Sequence, residues 1–131
     1  MVNTPEDLSY TKDHEWVRIS GEQATVGITD HAQQQLGDVV YVELPKAGDK
    51  FEANEPFGSV ESVKAVSEIY MPVSGTVVNV NSALNDAPEK VNTDPYHDGW
   101  MIIIKPDNPA TLDGLLTAAE YEDYIKEEAA E

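Results

Sequence analysis

A chain of 131 residues with 40% hydrophobic residues has the length of one ordinary domain and enough apolar material for a core, which argues against disorder. Its net charge of −17 repels phosphate backbones and anionic membranes, so nucleic acid and lipid are set aside as partners. With no cysteine there is neither a disulfide nor a thiolate metal site, and no apolar run approaches the roughly twenty residues of a membrane helix.

The opening stretch, Met1 to Asp7, lacks the basic and apolar regions of a secretory signal and the arginine-rich character of a transit peptide. A cytoplasmic protein is expected, or a mitochondrial one only if a transit peptide has been removed. Glu15-Trp16-Val17-Arg18-Ile19 alternates apolar and polar residues, Ser20-Gly21-Glu22 turns the chain, and Ala24 to Ile28 forms a return strand. Thr29 or Asp30 can cap a short helix from His31 to Leu36, which Gly37 ends. Asp38 to Leu44 is a β-branched strand closed by Pro45 and the Ala47-Gly48-Asp49 turn.

Pro56 to Met71 is too long for one typical strand, so the chain folds back inside it. Thr76 to Val80 is a further strand. Asn81 to Gly99 is polar and rich in Pro, Asn and Asp, which reads as an extended loop. Trp100 to Ile104 is apolar on both faces and suits a central strand. Asn108-Pro109 opens a short turn carrying Leu112, Leu115 and Leu116. Thr117 and Glu120 form a capping box for a last helix, on which Tyr121, Tyr124 and Ile125 share one face. The acidic end, Glu127, Glu128 and Glu131, opposes the helix dipole and is expected to fray.

Gly37 to Val42 echoes Gly75 to Val80, the pattern of two interlocked halves in a sandwich or flattened barrel. His14, His31 and His97 lie far apart and read as unrelated surface or edge residues, so no metal site is expected. Trp16 and Trp100 read as packing residues. The acidity has two readings that composition leaves open: plain solubility, or steering toward larger, more basic partners.

Lys64 stands near the midpoint of Gly58 to Ile69, a stretch with no Gly, Pro, Asn or Asp after Gly58. A lysine at a hairpin tip is usually a solvated charge. It can also be acylated by a carboxylic-acid cofactor, which turns it into a flexible arm on a rigid scaffold. Glu61 and Glu68 flank it, and Val63 and Ala65 add no charge. No nucleophile–base pair is apparent, so an enzyme acting alone is disfavoured.

Glu61-Ser62-Val63-Lys64-Ala65 resembles the lipoyl attachment motif of glycine cleavage H proteins. Further blocks agree: Asp13 to Val17, Val26 to Ala32, Leu36 to Pro45, Phe57 to Val60 and Pro95 to Met101. The resemblance implies a mainly β lipoyl/biotinyl-type fold, a flattened barrel or sandwich of two sheets with extra N-terminal β-structure and C-terminal helices. A single carrier domain over 1–131 follows, with its core at about 8–106 and helices at about 109–129. The resemblance further implies lipoic acid on Lys64, within an attachment motif of Glu61, Val63 and Ala65. Partners would be the P-protein that decarboxylates glycine, the T-protein that takes the aminomethyl carbon to tetrahydrofolate, the L-protein that reoxidises the dithiol, and a lipoate-attaching enzyme. Glu15 and Glu68 are candidate contacts for a loaded, cationic amine, with Ile28, Asp30 and Leu36 lining an arm cleft.

Four rivals stand beside this reading. A lipoyl domain of an acyltransferase typically has aspartate where Val63 stands, and a biotin carrier flanks its lysine with methionines. A relay passing lipoyl groups to other enzymes, or an unmodified acidic interaction module, would keep the same fold.

Overall fold

The computed structural model describes residues 4–130, so Met1 to Asn3 of the opening stretch and Glu131 of the acidic end lie outside the described residues. Among the described residues nine strands form two antiparallel sheets, and the alternation in the first long strands determines how they pack. A short β1 (Ser9–Tyr10) pairs with β2 (Glu15–Ser20), which forms the expected hairpin with β3 (Gln23–Ile28) from Glu15↔Ile28 to Ser20↔Gln23. Gly21, at φ +60°, turns the chain between them in the left-handed conformation that glycine adopts without strain. β4 (Val39–Glu43), β5 (Lys50–Phe51), β6 (Pro56–Ser62), β7 (Val66–Tyr70), β8 (Gly75–Val80) and β9 (Ile102–Pro106) follow. The large sheet runs β1-β2-β3-β9-β8-β5 and the small one β4-β6-β7. β9 pairs with β3 on one side and β8 on the other, the central position that its two-sided apolar pattern predicts, although the strand begins at Ile102 rather than Trp100.

Alternate residues of β2 feed two cores. Val17 packs with Val26, Ile102, Ile104 and Val77 of the large sheet and with Val42, Val60 and Ile69 of the small one. Trp16 points the other way, into a second cluster with Leu8, Tyr10, Tyr96 and Tyr121. Its indole lies so close to Gly27 that an added Cβ there would meet Trp16 Nε1 at 2.7 Å, so only glycine fits opposite it. Trp16 Nε1 donates to Pro95 O at 2.9 Å, which satisfies the one polar atom the ring buries.

The internal echo has a structural counterpart. The ladder slips between Val39 and Tyr41 in β4, and between Val77 and Asn79 in β8, so Val40 and Val78 form bulges at equivalent places in the two copies. One copy lies in each sheet. A shared bulge bends both strands at the same point in the sandwich.

The polar stretch from Asn81 to Gly99 is not the extended loop that its composition predicts. It contains a 3-10 turn, Ser82–Asn85, and a one-turn α2, Lys90–Thr93, which bury Leu84 and Val91. Turns this short carry no readable periodicity, yet each drops one apolar side chain into the core. Asn92 on α2 also fastens its surroundings. Its amide nitrogen donates to Gly37 O and Gln33 Oε1, and its oxygen accepts from Val39 N at 2.8 Å. These bonds pin the corner between α1 (Asp30–Leu36) and β4.

At the C-terminus Asn108 Oδ1 accepts from Ala110 N to start the 3-10 turn Pro109–Gly114. The Thr117–Glu120 capping box opens α3 (Ala118–Ala130) as expected: Glu120 N donates to Thr117 Oγ1 at 3.2 Å and Thr117 N to Glu120 Oε1 at 2.9 Å. Tyr121 is fully buried, with Tyr124 and Ile125 half-buried beside it, and its ring stacks on Tyr10 at 4.7 Å.

Candidate functional site: the lysine hairpin and the adjoining groove

The β6–β7 hairpin reverses over Val63, Lys64 and Ala65, and Lys64 sits at its exposed apex. The missing turn residues are replaced by one buried serine. Ser62 Oγ accepts from Ala65 N at 3.0 Å and from Lys64 N at 3.3 Å, and donates to Ala65 O. Ser62 N donates to Ala65 O at 2.8 Å, and Val63 N to Asp38 O at 3.1 Å, which ties the tip to the start of β4. Serine hydroxyls close such turns by mimicking a backbone partner, a signal easily overlooked beside glycine and proline.

Gly37 decides where the lysine lies. It ends α1 at φ +82°, donating its N–H to Gln33 O, and a Cβ there would sit 3.2 Å from Lys64 Cε. The lysine stem therefore rests across the α1–β4 corner. Beside that corner opens a groove of about 330 Å³, walled by Ile28, Ala32 and Leu36 on one side and Ala65, Val66 and Ile69 on the other. Asp13, His14, Gln35, Ser67 and Glu68 supply its polar margin.

Of the residues singled out in the sequence, Ile28, Leu36, Ala65 and Glu68 line this groove, and Glu61 and Val63 flank the apex in exposed positions. Glu15 and Asp30 do not. Glu15 is 1% exposed beneath the β2 ladder, where Oε2 accepts from Tyr70 N at 2.8 Å and Oε1 from Thr11 Oγ1 at 3.0 Å. Burial raises its pKa to about 8, against the opposing pull of the Tyr70 and Thr11 hydrogen bonds and with a further push from Asp13. Asp30, in the first turn of α1, accepts from Gln33 Nε2, and its backbone N–H donates to the Tyr96 hydroxyl, outside the groove. A pattern of charged residues near the right blocks does not say which way each side chain turns.

Asp13, His14, Ala32, Gln35, Val66, Ser67 and Ile69 were not anticipated. The α1 residues among them had a signal: Ala32 and Gln35 share one helical face with the expected Leu36, at spacings of three and four from Ala32. The histidine expectation also needs correcting. His97 stays apart, beside Asp94, but His14 and His31 stand with ring centroids 4.8 Å apart, and His14 Nε2 lies 3.1 Å from Glu128 Oε1 on α3. Burial lowers the His14 pKa, with Glu128 opposing and His31 adding to the shift.

The match to known proteins decides the family. The family model described as Glycine cleavage H-protein matches residues 8–128. The chain belongs to the glycine cleavage H-protein family. It is 61% identical to the glycine cleavage system H protein of Geobacillus kaustophilus over 96% of this chain and 99% of that one, and 57% identical to that of Anaeromyxobacter sp. over 97% and 99%. The crystal structure of a glycine cleavage system H protein from Mycobacterium marinum superimposes with a TM-score of 0.83 at 40% identity, covering 95% of this chain and 98% of that one. Membership carries with it the carrier role in the glycine cleavage system and a lipoyl-domain-like fold. No helix among the described residues of this H-family chain is long and apolar enough to cross a membrane.

Proposed function

We propose that lipoic acid is attached by an amide to Lys64 Nζ, and that the groove beside Gly37 receives the resulting arm. The observation that carries this reading is an exposed lysine on a hairpin apex held by Ser62, its stem against Gly37 while its neighbours Leu36 and Ala65 line a partly apolar groove. The donor set suits the group: one acylatable amine, an apolar wall for a hydrocarbon chain, and carboxylates at the rim. Bound there, the group supplies a dithiol that carries a one-carbon amine and two electrons.

The chain's own residues do the rest. Ser62 and the Asp38 carbonyl fix the apex so that modifying and catalytic partners meet one geometry. Ile28, Leu36 and Ile69 exclude water from the groove, and Glu68 and Asp13 at its edge attract a cationic amine. Glu15 acts from beneath, holding the end of β7 through the Tyr70 amide. In this reading the chain is a cytoplasmic carrier and not itself an enzyme. It visits the P-, T- and L-proteins in turn after a lipoate-attaching enzyme has loaded it.

The test is the intact mass of the chain made with lipoate and a lipoate-attaching enzyme, followed by fragmentation to locate the added group. One lipoyl group on Lys64, absent from Lys64→Ala, is the expected result. No addition, or a biotinyl group instead, would overturn the assignment.

A further inference from the structure

We infer that His14, His31 and Glu128 form a binding site for a divalent transition ion of the zinc class, which shares His14 with the margin of the groove beside the lysine hairpin. The three residues come from three elements, the β1–β2 turn, α1 and α3, and their ligand atoms all lie within 4.8 Å of one another. They line an open hollow of about 360 Å³ together with Gln35 and Ile125.

His14 is held in place before any ion arrives. Its backbone takes the left-handed conformation at φ +67°, which few non-glycine residues adopt and which surrounding contacts must enforce. Those contacts are present: His14 N donates to Thr11 O, and Thr29 N donates to His14 O. The ring is fixed as well. Nδ1 lies 2.8 Å from the Tyr121 hydroxyl, which lies 2.7 Å from Thr29 Oγ1, the N-cap acceptor for Ala32 N. When Nδ1–H donates to Tyr121, and Tyr121 to Thr29, Nε2 turns its lone pair toward Glu128 and His31. Metal-binding histidines are commonly oriented in this way through their other nitrogen. The same chain of bonds links α3, which carries Glu128, to the cap of α1, which carries His31.

Two imidazoles and one carboxylate are the ligand types of a three-residue zinc site with an open fourth position, and imidazole disfavours magnesium and calcium. In such a site the ligand atoms stand about 3.3–3.5 Å apart. His14–Glu128 already approaches that spacing at 3.1 Å. Half-buried His31 and exposed Glu128 reach it by side-chain rotation, while His14 stays fixed. The net charge of −17 raises the local concentration of any cation.

The experiment is calorimetric titration of the full unmodified chain with zinc chloride, with cobalt(II) absorption as the spectroscopic probe of coordination. Wild type should bind one equivalent with a Kd below about 0.1 mM. His31→Ala and Glu128→Gln, both away from the cores, should each weaken binding about tenfold or more, while His97→Ala leaves it unchanged. The ring resonances of His14 and His31, but not His97, should shift with zinc. The absence of saturable binding, or equal affinity in His31→Ala, would overturn the site, because zinc would then be held by scattered carboxylates or not at all.

Discussion

Glu15 is the residue whose structural role departs furthest from its expected one. Its carboxyl, pushed to about 8 mainly by burial, is ionised in the unfolded chain well before it ionises in the folded one. A group with a raised folded pKa binds more protons in the native state, so stability falls as pH rises from its unfolded value toward about 8 and changes little outside that window. Each tenfold difference in proton affinity between the folded and unfolded chain is worth about 1.4 kcal/mol, so the loss between pH 5 and 8 amounts to several kcal/mol. Glu15→Gln keeps an acceptor for Tyr70 N while removing the titration. Urea unfolding of the two proteins should give similar stability at pH 5 and a more stable variant at pH 8. Parallel pH profiles would mean that Glu15 ionises as an ordinary surface carboxylate does.

The β6–β7 hairpin shows the same physics at the scale of an element. Its turn has no residue that prefers a turn backbone, so the Ser62 hydroxyl supplies the partner that two amide groups would otherwise lack. Ser62→Ala should cost about 1–2 kcal/mol, measured as a lower urea midpoint with an unchanged slope. It should also slow modification of Lys64, since the apex would no longer be presented in one conformation. Ser62→Thr, which retains the hydroxyl, should recover much of both losses. Full modification rates in Ser62→Ala would instead mean that the attaching enzyme orders the tip itself.

Across the whole molecule, the charge of −17 is spread over a fold whose exposed apolar residues include Val40, Tyr41, Val63 and Val66, on or beside the lysine hairpin. Tyr41 pairs with Glu61 and Glu61 with Val66, so apolar and acidic residues share one row across the small sheet. Such a surface suits steering by long-range charge followed by short-range docking. Association with a partner enzyme should therefore slow about tenfold or more between roughly 50 and 500 mM salt, with a smaller change in dissociation. Stopped-flow rates independent of salt would assign the acidity to solubility alone.

Strands, capped helices, the unusual setting of Lys64 and the family are all legible in the chain, because alternation, capping boxes and contiguous motifs are local patterns that survive without tertiary context. The echo between the two valine-rich stretches is legible too, though not the bulges at Val40 and Val78 that it marks. Folding in three dimensions adds what those patterns lack: Glu15 turns inward, Asp30 faces away from the groove, and Leu84 and Val91 anchor a polar segment. It also brings His14, His31 and Glu128 together from three separate elements. Side-chain direction and the meeting of distant elements depend on how sheets twist and helices dock, and no local pattern in the chain encodes those relations.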